Sequence, residues 1–194
     1  MEREIWKAGT FEYPLPAVMV SCGDMKNSNI ITVAWTGILN TKPPMVYISL
    51  RKNRYSYGII KKTNEFVINL TTTKLVKATD WCGVKSGIRV NKFKEMNLHK
   101  DKAKFVNAPL ISESPISLEC KVKEIVNLGS HDMFIAEVLS IDVDKKYIDK
   151  NGRFNISKCN LIAYANGGYY ALGKKIAKFG YSVRGKNKKR KKSQ

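Results

Sequence analysis

At 194 residues with 43% hydrophobic side chains, the chain is long enough for one domain with a substantial core and has the apolar content a globular domain needs. No apolar run approaches the roughly 20 residues that cross a bilayer, and the opening Met1-Glu2-Arg3-Glu4 is no secretion signal, so a cytoplasmic protein with no membrane partner is expected. The net charge of +19 raises nucleic acid as a partner, but Arg184–Lys192 alone carries seven basic and no acidic side chains, leaving 28 basic against 16 acidic elsewhere. That run has no apolar residue with which to fold, so residues 184–194 read as a solvated, disordered tail behind a single domain over 1–183.

In chain order, Ala17–Cys22 is a predicted strand between Pro14 and Pro16 on one side and Gly23-Asp24 on the other. Two β-rich runs follow, Ile30–Thr36 and Met45–Leu50, separated by a loop ending in Pro43-Pro44. A helix is expected to begin near Arg54 with Asn53 as its cap and to carry Tyr57 and Ile60 inward through Thr63. Glu65–Leu70 is a compact apolar strand, and Thr72–Cys82 a helix capped by its first threonine. Gly83–Leu98 is less regular. The alternation of Ile116, Leu118, Cys120 and Val122 predicts a long, bent strand to Asn127, with Gly129 at the turn and Met133–Val143 returning as its hairpin partner. Asn160–Tyr164 and Tyr169–Leu172 make a last pair around Asn166-Gly167-Gly168.

Short strands with few long helices indicate a closed antiparallel barrel or sandwich. No Gly-x-Gly-x-x-Gly follows a strand and no P-loop is present, which argues against a dinucleotide fold of the doubly wound type. Cys22, Cys82, Cys120 and Cys159 are far apart with no Cys-x-x-Cys pair, so neither a zinc site nor a disulfide framework is indicated.

The stretch Asn29–Tyr57 carries the chemistry. Thr32, Ala34, Thr36 and Gly37 surround Trp35 with small and hydroxyl residues, which suits contacts to a flat ligand. Ser49, Arg51, Arg54 and Ser56 then offer hydroxyl and guanidinium donors beside a helix start, a combination that favours a phosphate. From pattern alone Trp35 is a core aromatic and Cys82 a small buried hydrophobe. Lys52 reads as facing water, and His99 has no functional reading.

These residues resemble the flavin reductase-like, FMN-binding split-barrel family, on its flavoredoxin and ferric-reductase branch. The matching pieces are the Asn-x-x-Thr-x-Ala-Trp segment at Asn29–Trp35, Pro43-Pro44 and the basic cluster through Ser56. Downstream lie Trp81-Cys82-Gly83 with Ser86-Gly87 and Lys92-Phe93, then Leu118-Glu119-Cys120 and Gly129-Ser130-His131, so the similarity spans roughly residues 10–172. It implies a mainly β fold, a six-stranded antiparallel Greek-key split β-barrel with short flanking helices, and a homodimer with FMN near the subunit interface. Cofactor contacts are implied for Asn29, Thr32, Ala34, Trp35, Thr36, Ser49, Arg51, Arg54, Tyr55, Ser56, Cys82, Ser86, Gly87 and Lys92. His131 falls on the nicotinamide or substrate side of the flavin. Asn91 and Ser130 stand where the family has Asp, and each removes a carboxylate from that region, so the resemblance supports the flavin site better than the hydride-donor site. The implied activity is electron transfer from NAD(P)H or a redox protein through FMN to an acceptor. Two alternatives stay open: an FMN electron carrier that uses no nicotinamide, and a basic nucleic-acid-binding barrel that has lost the cofactor.

Overall fold

The structure, a computed structural model, describes residues 1–183; the basic run from Arg184 onward lies outside the described residues. In chain order the elements are β1 (Leu15–Pro16), β2 (Val18–Gly23), β3 (Ser28–Val33), β4 (Thr36–Thr41), β5 (Pro44–Arg51), α1 (Tyr55–Thr63) and β6 (Glu65–Leu70). After one 3-10 turn come α2 (Val76–Val84), α3 (Lys92–Glu95), β7 (Lys100–Asp101), β8 (Leu110–Ile111), β9 (Ile116–Asn127), β10 (His131–Val143), β11 (Ile162–Ala165) and β12 (Gly168–Ala171). Seven strands form one antiparallel sheet in the order β3-β2-β6-β9-β10-β5-β4. A second sheet has the order β1-β11-β12, and β7 pairs β8.

The alternation in β5 shows how the large sheet is organised. Val46, Ile48 and Leu50 are buried, while Tyr47, Ser49 and Arg51 point to the other face. The inward set meets Val18 and Val20 of β2, Ile31 and Val33 of β3, Phe66 and Ile68 of β6, and Phe134 and Ala136 of β10 in one cluster. Residues of β3, at one end of the sheet, and of β5, one strand from the other end, share that cluster, so the sheet is strongly curved around it. Fully burying a side chain such as Phe66 or Phe134 contributes about 1.5–3 kcal/mol. Strand β2 is buried on both faces, because its other face sends Met19 into a second cluster with Leu75, Ala78 and Cys82 of the α2 segment and Phe93 of α3.

Buried polar groups hold the side of the sheet away from the site. Asn69 of β6, fully buried, donates to the Met19 carbonyl at 3.1 Å and Ser21 Oγ at 3.0 Å. Its Oδ1 accepts from the Ile111 amide at 3.0 Å and Ser117 Oγ at 2.7 Å. Glu119 of β9 is also fully buried and accepts the amides of Lys104, Phe105 and Val106 at 2.6–3.1 Å, which fixes the loop before β8.

Several expectations change here. The stretch after Trp35 is not a loop: the chain turns at Ala34–Trp35, and Thr36–Thr41 forms β4, pairing β5 in a hairpin through Lys42 and Pro43. The sheet has seven strands where six were expected, and no ladder joins its end strands β3 and β4 among the described residues. Curvature is present without a hydrogen-bonded closure. Asn53 does not cap α1: the cap position is Arg54, with no side-chain hydrogen bond, and Thr72 likewise makes none. Asn91, in the stretch read as irregular, caps α3 by accepting the Lys94 amide at 3.1 Å. An Asp at that position could accept the same bond, so Asn91 keeps the cap and omits the charge. The β9–β10 hairpin has the expected turn, with Gly129 at φ +91° and two register shifts that bend the strands.

Candidate functional site

Two small cavities lie side by side at the β3, β5 and α1 junction. One, about 240 Å³, is lined by Thr32, Ala34, Trp35, Ser49, Arg51 and His131 among others. The second, about 140 Å³, is lined by Asn29, Tyr55, Ser56, Cys82, Ser86, Gly87 and Lys92 among others. Ile31 and Arg54 line both, so they form one continuous depression. Joined, they reach into the range of roughly 300–1,000 Å³ that accommodates a small organic ligand.

The first cavity has an aromatic rim. Trp35 sits in the turn between β3 and β4, 37% exposed, and its ring lies 4.5 Å from that of His131 at an interplanar angle of 43°. Its carbonyl accepts the Ser49 amide at 2.9 Å, which fixes the turn against β5. His131 pairs with Arg51 across the β10–β5 ladder, placing imidazole and guanidinium on the same face. Burial, then the charges of Arg51 and Arg54, hold the imidazole below its ordinary value of 6.5, so it is neutral at pH 7. Ser130 Oγ lies 2.9 Å from His131 Nδ1.

The second cavity is built to receive an anion. Helix α1 has no side-chain cap and no acidic residue in its first turn, and its start, Arg54, Tyr55 and Ser56, forms part of the cavity wall; the Tyr57 amide closes on the Arg54 carbonyl at 2.9 Å. Neither Arg51 nor Arg54 makes a side-chain hydrogen bond or ion pair among the described residues, and no acidic residue lines either cavity. Asn29 Nδ2 donates to Ser56 Oγ at 2.8 Å, which orients the hydroxyl. Gly87 passes so close to Asn29 that a Cβ there would fall 2.1 Å from Asn29 Oδ1, so this position admits only glycine without displacing the Asn29–Ser56 pair.

Not every candidate faces the cavities. Thr36 is buried at the start of β4, and its hydroxyl donates to the Tyr47 carbonyl at 2.6 Å. The turn at Ala34–Trp35 swings it away from the site. Thr32 lines the first cavity with its hydroxyl engaged on the Thr79 carbonyl. Lys92 lies in the wall with its ammonium donating to the carbonyls of Ile30 at 2.7 Å and Cys82 at 2.6 Å. It braces β3 against the end of α2, and burial lowers its pKa. Cys82 is fully buried in the α2 cluster, and its thiol is pushed up to about 11 by burial, which makes it a poor nucleophile. Lys52 pairs with Asp132 at 3.3 Å, to which Tyr57 also donates at 2.7 Å. Gly83, quoted above only as part of a motif, and Lys85 and Tyr164 line the depression without having been implied as contacts. Gly83 and Lys85 lie inside the Cys82–Gly87 segment, where their neighbours gave the signal; Tyr164 comes from β11, and nothing in its local sequence marks it.

The flavin reductase like domain model matches residues 10–173. The structure superposes on flavoredoxin of Desulfovibrio vulgaris (Miyazaki F) with a TM-score of 0.87 at 30% identity, covering 94% of this chain and 100% of that one. A protein of Archaeoglobus fulgidus is 30% identical over 141 residues, 73% of this chain and 79% of its own. The NADPH-flavin oxidoreductase of Streptomyces viridifaciens is 24% identical over 134 residues, 67% of each chain. The chain belongs to the flavin reductase-like domain family.

Proposed function

We propose that the protein is an FMN-dependent oxidoreductase of the flavin reductase and flavoredoxin type, passing electrons from NAD(P)H or a redox partner through the flavin to an acceptor. The observation that carries this reading is the pairing of an aromatic-rimmed cavity with an adjoining anion cradle, neither lined by an acid, whose guanidiniums Arg51 and Arg54 have no side-chain partner among the described residues. Arg54, Ser56, Ser86 and the first amides of α1 would hold the phosphate. The strand end Thr32–Trp35, Ser49 and His131 would flank the ring. FMN, when bound, supplies the hydride and electron chemistry. The chain's part is to hold the ring against Trp35 and His131, to present backbone groups to its edge, and to keep a neutral imidazole beside it. No acid or base is required of the protein. The name of the Streptomyces relative supports a reduced nicotinamide as donor.

One observation favours a second reading, in which FMN exchanges electrons without binding a nicotinamide. His131 is neutral and its neighbour is Ser130, so that side of the site lacks the carboxylate seen in the family pattern. The visible spectrum of the purified protein separates these readings. A flavin spectrum bleached anaerobically by NADH or NADPH supports the first, a flavin spectrum indifferent to both supports the second, and a colourless protein that takes up no added FMN defeats both.

Assembly as a homodimer with flavin sites completed by both subunits belongs to the same proposal. Large apolar side chains exposed on the isolated chain, Trp6, Phe11, Ile38 and Ile176, support it. Light scattering that finds a flavin-loaded monomer would remove this part of the reading.

A further inference from the structure

The connection from β5 to α1 carries Arg51 and Arg54, and since neither guanidinium has a side-chain partner among the described residues, the backbone alone decides where they stand. The Arg54 amide closes that turn on the Arg51 carbonyl at 3.1 Å. One carboxylate holds the turn from the inner side. Asp132 pairs with Leu50 across the β10–β5 ladder, so it shares the inward face with Leu50 and Phe134, while its neighbour His131 faces Arg51 on the cavity side. It is 5% exposed. Its Oδ2 accepts the Tyr57 hydroxyl at 2.7 Å, and Lys52 Nζ stands 3.3 Å from its Oδ1 as an ion pair. Lys52 precedes Arg54 in the turn and Tyr57 follows it in α1, so the carboxylate grips the chain on both sides of that guanidinium. The Tyr57 ring packs edge-on against the fully buried Phe134, with centroids 5.4 Å apart and planes at 78°, which anchors the hydroxyl to β10. The Tyr57 hydroxyl first, and Lys52 after it, outweigh burial and hold the Asp132 carboxyl below its ordinary value of 3.8, so both contacts are made to an ionised group at neutral pH.

We propose that Asp132 is a positioning residue for anion capture: through Lys52 and Tyr57 it fixes where Arg54 and the start of α1 stand relative to His131, and so sets the span between the phosphate wall and the ring wall of the site. This rests on the flavin reading above. Strand β10 supplies both His131, on the ring cavity, and Asp132, the anchor of the phosphate side, as adjacent residues, so the two walls are referred to one rigid element. Arg54 lines both cavities and gains most from an anion when its backbone is already in place, because a displacement of about 1 Å is enough to loosen such a contact. Position and field act in opposite directions here. A carboxylate repels a bound phosphate through its charge, while a carboxylate that places the guanidinium helps to hold it.

The test is equilibrium titration of the full-length protein, stripped of bound flavin, with FMN and riboflavin, for wild type, Tyr57→Phe, Asp132→Asn, Arg54→Ala and the double variant Tyr57→Phe/Arg54→Ala. Tyr57→Phe deletes one hydroxyl and keeps the ring on Phe134, so it is expected to fold and decides the matter if Asp132→Asn does not. The expected result is FMN bound about tenfold more weakly by Tyr57→Phe and more weakly by Asp132→Asn, with riboflavin unchanged in both. The double variant is expected to bind FMN as tightly as Arg54→Ala alone, because Tyr57 acts through Arg54. Tighter FMN binding by Asp132→Asn would reduce the carboxylate to its field and overturn the inference. An unchanged FMN affinity in Tyr57→Phe, an equal loss for FMN and riboflavin, or losses that add in the double variant would each overturn it too, and all of these leave the flavin site standing. A wild type that binds neither flavin would bring down the proposed function itself, and this inference with it.

Discussion

The β6–β9 side of the sheet and the β3–β5 side treat their polar groups in opposite ways. Around β6 and β9, the Asn69 amide makes bonds through both ends and Glu119 takes three amides. Around β3 and β5, the guanidiniums of Arg51 and Arg54 make no such bonds within the described protein, and the first turn of α1 has no side-chain cap. An unpaired polar group is costly only where water cannot reach it, so the first arrangement stabilises the fold and the second leaves donors available to something from outside. What separates them is whether the donors have found acceptors.

The sharpest way to break this comparison is Asn69→Ala. It orphans the Ile111 amide and the Ser117 hydroxyl and removes a donor from the Met19 carbonyl and from Ser21 Oγ, which still donates to the Pro109 carbonyl, and a loss of roughly 3–5 kcal/mol is expected. That corresponds to a Tm lower by about 6–20 °C, read by calorimetry, with the FMN affinity of the folded fraction unchanged. An unchanged Tm would mean that the network is replaceable. Arg54→Ala should do the reverse, leaving the Tm of flavin-free protein in place and weakening FMN about tenfold to a hundredfold, the equivalent of a charge-assisted bond of roughly 1.5–3 kcal/mol. Riboflavin, which has no phosphate, should bind wild type and variant alike; equal loss for both flavins would move Arg54 off the phosphate. Arg51→Ala is expected to follow the same pattern.

A smaller effect sharpens the electrostatic side of the contrast. His131 has its pKa lowered in the folded chain, so the unfolded chain binds the proton more readily and stability falls as pH drops from neutral through 6.5 and below. His131→Gln should flatten that part of the Tm-against-pH curve; parallel curves for the two proteins would show that the imidazole is not held neutral by its surroundings. The smallest effect is chemical. Cys82 and Cys22, both pushed up to about 11 by burial, should resist iodoacetamide at pH 8 in the folded protein and react once it is unfolded.

How far the sequence could be followed depended on whether a feature is local. The hairpin of β9 and β10 and the inward face of α1 follow from periodicities of two and 3.6, which neighbouring residues carry. Strand β4 was missed because Gly37 and Asn40 weaken its pattern, and because the Lys42-Pro43 turn that makes it a hairpin reads as loop. Thr36 was misassigned for the same reason: its side chain is re-aimed by a turn one residue earlier. Lys92 was implied as a cofactor contact by the resemblance of its segment, while the two carbonyls that occupy its ammonium come from Ile30 and Cys82, distant in sequence or on another element. Tyr164 joins the site only through tertiary placement. The order of strands in the sheet, and the lack of a closing ladder among the described residues, have no local signature at all.

The Lys92 brace also bears on timing. By tying Ile30 of β3 to Cys82 of α2 through one buried ammonium, it sets the spacing of the two walls of the cradle before any ligand arrives. A cradle held open in this way would lose little conformational freedom on binding, so capture of a phosphate is expected to be governed by diffusion and charge, without a slow closing step. Lys92→Met would leave two carbonyls unpaired and free the walls to move against each other. The expected trace in stopped-flow mixing is a second, concentration-independent phase of flavin uptake that the wild type lacks.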